Sequence, residues 1–142
     1  MTETKIKQAC RKAFTGFKQN DSSDLLALLS EDVVLEFTDS LPYGGVYRGA
    51  QEFKDYWRQV FELWEYFAYD AHAIVEAEDY VIVPVAVRAR SRAGIEMENE
   101  HVILFKQKDG MITYCRVYAD TAKGRDALAG KIPPRFDKGH LI

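Results

Sequence analysis

The chain has 142 residues, 47% of them hydrophobic, enough for one domain with its own core and no need of a disulfide or metal staple. Nineteen Lys and Arg stand against 22 Asp and Glu, a net charge of −3, so no basic stripe is available for a phosphate backbone or an anionic membrane surface. Nucleic acid and membrane are therefore not expected partners.

No stretch approaches the ~20 apolar residues of a membrane span, and the opening MTETKIKQAC carries no apolar run of signal-peptide length. Cys10 and Cys115 lie far apart without CxxC spacing and read as reduced thiols. The expected compartment is the cytoplasm.

Residues 3–19 place Ile6, Ala9, Cys10, Ala13, Phe14 and Phe17 three and four apart, which predicts an amphipathic helix. Asn20 to Ser23 interrupt it, and Ser23 or Asp21 can cap a short second helix over 24–29. Val33 to Phe37 read as a strand, and Ser40 to Gly45 as a loop, with proline and two glycines for the turns. Gly49 precedes a long helix over 50–67, with Phe53, Trp57, Val60, Phe61 and Trp64 along one side. The period then drops to two, predicting strands over about 69–78, 80–92, 95–107 and 111–119, split by Glu78-Asp79, Ala93-Gly94 and Asp109-Gly110. A last helix over 121–128 and a tail over 130–142 complete one domain spanning 1–142. Helices and strands segregate instead of alternating, which argues for α+β.

Charge sets the pairing of the central hairpin. A three-residue turn at Ala93-Gly94-Ile95 puts Arg92, Arg90 and Arg88 opposite Glu96, Glu98 and Glu100, and such cross-strand pairs stabilise by roughly 0.2–1 kcal/mol each. The ladder then faces outward, with Tyr114, Arg116 and Tyr118. Val83, Val85, Val87 and Ala89 face inward with Met97, Asn99, His101, Ile103 and Phe105, as do Cys115, Val117 and Ala119. Asn99 and His101 are thus polar side chains on an otherwise apolar face.

The run Tyr43-Gly44-Gly45-Val46-Tyr47-Arg48-Gly49 with Phe53 and Trp57 resembles the loop-to-helix signature of SnoaL-like, ketosteroid isomerase-related proteins of the nuclear transport factor 2-like (NTF2-like) superfamily. His101-Val102, Asp109-Gly110-Met111-Ile112 and Tyr118-Ala119-Asp120-Thr121 are similar to the end of its meander, so the resemblance spans roughly 5–128. It implies a cone: a strongly curved antiparallel or mixed sheet wrapped around the long helix and the N-terminal helices, with an internal pocket. It also implies a homodimer paired through the outer sheet face. The activities it implies are cofactor-free isomerisation, cyclisation or dehydration, beside non-catalytic binding. Ketosteroid isomerases move the proton with a first-strand aspartate, whose place falls at Phe37. Their helix tyrosine falls near Ala13 or Phe14, and their second donor at His101. Two of these three parts are absent, so steroid isomerisation by that mechanism is not expected. The late general acid/base of SnoaL-like cyclases matches Asp120.

His101 is a candidate acid/base, since an imidazole pKa near 6.5 suits proton transfer at neutral pH, or else a core histidine bonded to Asn99, a tyrosine or water. Asp120 either moves protons with it or caps the last helix. Phe37, Trp57, Phe61, Trp64, Val87, Asn99, Ile103, Cys115 and Val117 are the expected pocket lining. Asp39 has inward parity at its strand's end, Glu36 faces out, Tyr43 is a mouth donor or a loop aromatic, and Tyr56 and Tyr66 are expected at the surface or in an interface. His72, His101 and His140 sit on separate elements without ligand spacing, so no metal is expected, nor any other cofactor. The expected partner is a small, largely apolar molecule, bound for proton-transfer chemistry or held by a non-catalytic module.

Overall fold

The computed structural model describes residues 3–18, 20–37 and 40–134, so Asp39 and the tail beyond 134, with His140, lie outside the described residues. Helix α1 (Lys5–Phe14) starts where Thr4 accepts the Lys7 amide at 3.2 Å, and it buries Ile6, Ala9, Cys10, Ala13 and Phe14. Helix α2 spans Ser23–Ala27, and Asp21 Oδ1 accepts the Ser23 amide at its start.

Strand β1 (Leu29–Phe37) begins four residues before the expected Val33, because it runs parallel to β7 (Met111–Ala119), with Leu29 beside Ile112 and Leu35 beside Cys115. Long-range pairing of this kind leaves no local sequence signal. A short β2 (Gly45–Arg48) pairs antiparallel with β1 and leads into α3 (Gly49–Leu63).

The long helix ends sooner than 67, and Trp64 is the first residue of β3 (Trp64–Ala71). Arg92 accounts for the stop. Its amide donates to Leu63 O at 2.9 Å, and its guanidinium donates to Phe61 O at 2.8 and 3.1 Å. The carbonyls that a helix end leaves unpaired thereby find partners. The inward stripe of α3 is centred on Tyr56 and Val60, so Tyr56 is buried, against the surface position expected, while Phe61 is 42% exposed.

Strand β4 (Val75–Ala77) turns through Glu78-Asp79 into β5 (Tyr80–Ser91), which pairs with β6 (Glu96–Lys108), and β6 with β7. The strand order is β2-β1-β7-β6-β5-β3, with β4 on β5, and only β1–β7 is parallel. Pro84 is tolerated inside β5 because its carbonyl, and so its missing N–H, points to the gap between β3 and β4, where His72 N donates to it at 2.8 Å. Helix α4 (Thr121–Leu128) closes the described chain. The result is a curved sheet with helices in its concavity, the expected α+β cone.

The β5–β6 register is displaced by two residues from the expected ladder. Arg90 faces Glu96, Arg88 faces Glu98 and Glu100 faces Ala86, so Val85, not Val87, lies opposite His101. The turn is correspondingly longer: Ser91 N donates to Ile95 O and Gly94 N to Ser91 O, which releases Arg92 to cap α3. A displacement of two keeps every side chain on its expected face. The β6–β7 hairpin reaches the same outcome differently, with a two-residue turn at Asp109-Gly110 (φ 54° and 79°) followed by a bulge near Thr113 that restores the parity of Cys115.

Ser91 is fully buried, donates to Ala127 O at 2.7 Å and accepts from Ile95 N at 3.3 Å, so it ties α4 to the hairpin turn. Ser91→Ala leaves the Ile95 amide unpaired and Ala127 O with the Gly130 amide alone, and should lower stability by about 1–3 kcal/mol in urea unfolding. Amide exchange should accelerate across α4. Unchanged protection there would mean that α4 is held by its apolar contacts alone.

Candidate functional site

The inner faces of β6 and β7 and the side of α3 enclose a first cavity, walled by Tyr43, Tyr56, Trp64, Asn99, His101 and Val117 among others, with Leu41, Asp120 and Gly124 beneath α4. Its volume is about 20 Å³, room for one water molecule. Gly124 is what lets α4 lie so close, since a Cβ there would meet Leu41 Cδ2 at 3.2 Å.

His101 is 9% exposed and packs its ring against Phe67 and Tyr69, with centroids 5.7 and 6.4 Å away. Its Nδ1 is buried without a hydrogen-bond partner, the one such side-chain nitrogen or oxygen among the described residues. Burial lowers its pKa to about 4, so the ring is neutral at physiological pH.

Asn99 does not supply the missing bond. Its amide donates to Asp120 O at 3.0 Å and its carbonyl accepts the Glu100 amide at 2.8 Å, which fixes the chain where α4 begins. Asp120 Oδ1 accepts from Ala122 N at 3.2 Å, so this residue caps α4 while also bordering the cavity. It is exposed, and no hydrogen bond joins it to His101 among the described residues.

Tyr43 belongs to the cavity wall. Its hydroxyl accepts from Trp64 Nε1 at 3.1 Å, and burial pushes its pKa up to about 12. The phenol therefore keeps its proton and holds it ready to donate. Tyr56, pushed well above the ordinary tyrosine range by burial, lies flat against Phe37 at 3.6 Å between centroids. Its place was readable in principle, since it falls three residues after Phe53 and four before Val60 on the apolar stripe of α3.

A second cavity of about 40 Å³ lies deeper, among Phe14, Leu25, Leu35, Tyr69, Ile103 and Cys115. Phe37, Trp57 and Val117 border both cavities, whereas Trp64, Asn99, His101 and Asp120 border only the first. Two expected lining residues border neither. Phe61 packs on the outer side of Trp57 with its centroid 5.7 Å away, and Val87 is wholly buried within β5. Burial raises both thiols, Cys10 to about 12 and Cys115 further still, so they are inert packing groups at neutral pH.

Glu36 faces out, where it accepts from the Tyr114 hydroxyl at 3.0 Å and pairs with Arg116 at 2.5 Å. Among the described residues no group of three His, Cys, Asp or Glu is placed to hold a metal ion, and no helix is long and apolar enough to cross a membrane.

The sequence profile of a SnoaL-like domain matches residues 10–115. No curated protein sequence matches the chain. Among solved structures, an NTF2-like protein of unknown function from Burkholderia pseudomallei superposes with a TM-score of 0.80 at 21% identity, over 89% of this chain and 98% of that one. TerC, co-crystallised with polyporic acid, gives 0.78 at 19% identity over 89% and 99%. A Catenulispora acidiphila protein with a ketosteroid isomerase-like fold, in complex with trimethylamine, gives 0.71 at 17% over 93% and 96%. At these identities the likeness is one of fold.

The buried imidazole has a signature in stability. Above pH 6.5 it is neutral in both folded and unfolded chains and contributes no pH dependence. Between 6.5 and about 4 the unfolded chain binds a proton that the folded chain refuses, so stability falls as pH falls, by about 3 kcal/mol in all. His101→Leu should remove that decline, measured as urea midpoints at pH 7, 5.5 and 4.5. Parallel declines in both proteins would place the acid sensitivity elsewhere.

Proposed function

Because the chain belongs to the SnoaL-like domain family, we propose that it binds a small, largely apolar molecule in the cone and engages that molecule's carbonyl or hydroxyl group through His101. The observation that carries this reading is the buried, unpartnered Nδ1 of His101, a residue that borders the first cavity. An unsatisfied buried polar atom costs about 1–3 kcal/mol, which a leucine at this position would spare the fold. Tyr43 supplies a second polar contact, its oxygen already oriented by Trp64 and its proton uncommitted. Relatives in fold co-crystallised with polyporic acid and with trimethylamine support the view that this scaffold accommodates small organic molecules.

The chemistry that fits is proton transfer without a cofactor, as in isomerisation, cyclisation or dehydration. His101 would take a proton from carbon beside a carbonyl while the Tyr43 phenol donates a hydrogen bond to the carbonyl oxygen. A ring with a pKa of about 4 is a weak base in the empty protein. Negative charge developing on a bound enolate would raise its basicity as the proton moves, because the charged imidazolium would no longer be unpaired. Asp120, exposed at the rim, would exchange that proton with water.

A second reading, a non-catalytic binding or dimerisation module, is favoured by how little room the cavity leaves. At about 20 Å³ the cavity is smaller than such a ligand, so binding there would need its walls to move. In either reading the outer sheet face, with Val102 39% and Tyr118 50% exposed, would pair two copies. Sedimentation should return twice the 16.3 kDa chain mass. A monomer at micromolar concentration would remove the dimer from both readings.

The decisive experiment is a thermal-shift screen against acetophenone, cyclohexanone and a set of methyl ketones with wild type, His101→Leu and Tyr43→Phe. A ligand at 100 times its dissociation constant should stabilise wild type by about 2.7 kcal/mol, and His101→Leu should stay folded and lose most of that gain. Any hit would then be followed in D2O for exchange of the protons beside its carbonyl, with Asp120→Asn expected to slow exchange. Binding undiminished in His101→Leu would refute the assigned site, and binding without exchange would select the non-catalytic reading.

A further inference from the structure

The two cavities differ in chemistry and share three bordering side chains, Phe37, Trp57 and Val117. The first offers His101, Asn99 and Tyr43, whereas the second is lined by apolar side chains together with Tyr69, Trp57 and Cys115. Phe37, the last residue of β1, borders both. Its ring stacks on Tyr56 at 8° between planes and meets Tyr47 edge-on at 5.8 Å, with Trp57 from α3 and Val117 from β7 as the other two side chains bordering both spaces. Separately, the cavities of about 20 and 40 Å³ hold no more than a few atoms each. Joined through the volume of the phenyl ring, they would form one slot from the Asp120 rim to Phe14 and Leu25 beneath the N-terminal helices.

Resting on the binding reading above, we propose that Phe37 is the partition that sets how long a ligand the cone accepts, and that the ligand class is an amphiphile with one hydrogen-bonding head at His101 and a short apolar tail ending at Phe37. Polarity argues for the orientation. A carbonyl or hydroxyl placed in the deeper space would lose its water and face almost entirely hydrocarbon, whereas a tail there loses nothing. Charge argues for a head that is not anionic, because neither cavity is lined by a lysine or arginine among the described residues. By element order Phe37 also stands where ketosteroid isomerases place their proton-moving aspartate, so this chain carries shape at a position where that chemistry would need a carboxylate.

The test uses two homologous series, 2-alkanones and n-alkylbenzenes, titrated calorimetrically into wild type, Phe37→Ala and Phe37→Leu. With wild type, affinity should stop rising after a short tail. With Phe37→Ala it should keep rising about four-fold per added methylene over several further carbons, the gain expected for burying each one. Phe37→Leu should fall between the two, and it answers the question by itself if the alanine variant does not fold. The same length dependence in all folded variants would overturn the partition. The two series separate this inference from the one beneath it. If the length limit moves in both series while ketones bind no better than hydrocarbons, the partition holds and the carbonyl-binding role of His101 fails. If no compound of either series binds any variant, both fail.

Discussion

The alternation of apolar and charged residues along β5 and β6 decides which face of β6 turns inward, and the interior follows from that choice. Met97, Asn99, His101, Ile103 and Phe105 alternate with charged and exposed residues along one strand, so a slip of a single residue would turn the imidazole to water and glutamates into the core. Unlike charges facing one another across the outer surface disfavour that slip. The parity of β6 in turn sets what β7 shows to the interior, through a tight turn and a compensating bulge.

Against that scaffold the polar interior is sparse and divided between two tasks. Asn99 is fully engaged in holding the start of α4, and Ser91 fastens the end of the same helix, so the element covering the cavity is pinned at both ends by buried side chains. His101 takes no part in this bracing. A neutral imidazole with an unused nitrogen, packed among aromatic rings, costs the fold stability and returns none of it through a contact with the protein.

Most of the fold was legible because its signals are local. The change of period after the aromatic helix, the turn pairs Glu78-Asp79 and Asp109-Gly110, and the α4 span from Thr121 to Leu128 all follow from neighbours in sequence. The inward placement of Asn99 and His101 came from alternation plus charge. What escaped depends on residues distant in sequence. Arg92 reads as one more rung of a charge ladder until α3 is present to be capped. Tyr56 reads as a surface tyrosine until Phe37 arrives to stack on it. Leu29 to Asp32 carry no strand pattern of their own and are drawn into β1 by β7. In the site, the division of one interior into two cavities was not legible, since Phe37, Trp57 and Val117, which border both, come from three separate elements.

The parallel pairing of β1 with β7 has a consequence for how the chain comes to be folded. β1 is made early, yet its only local partner is the short β2, and its long neighbour is the last strand described. Until some 80 further residues have left the ribosome, Val33, Leu35 and Phe37 have no sheet beside them on that edge. Closing so long a loop is slow, and a nascent strand with an apolar face and a bare hydrogen-bonding edge is a template for pairing with other chains. The β5–β6–β7 meander, by contrast, is contiguous and can assemble as it emerges. The chain therefore has a late-closing seam: the cone is shut by joining β1 to β7, and until then nascent β1 is an exposed, pairing-prone edge.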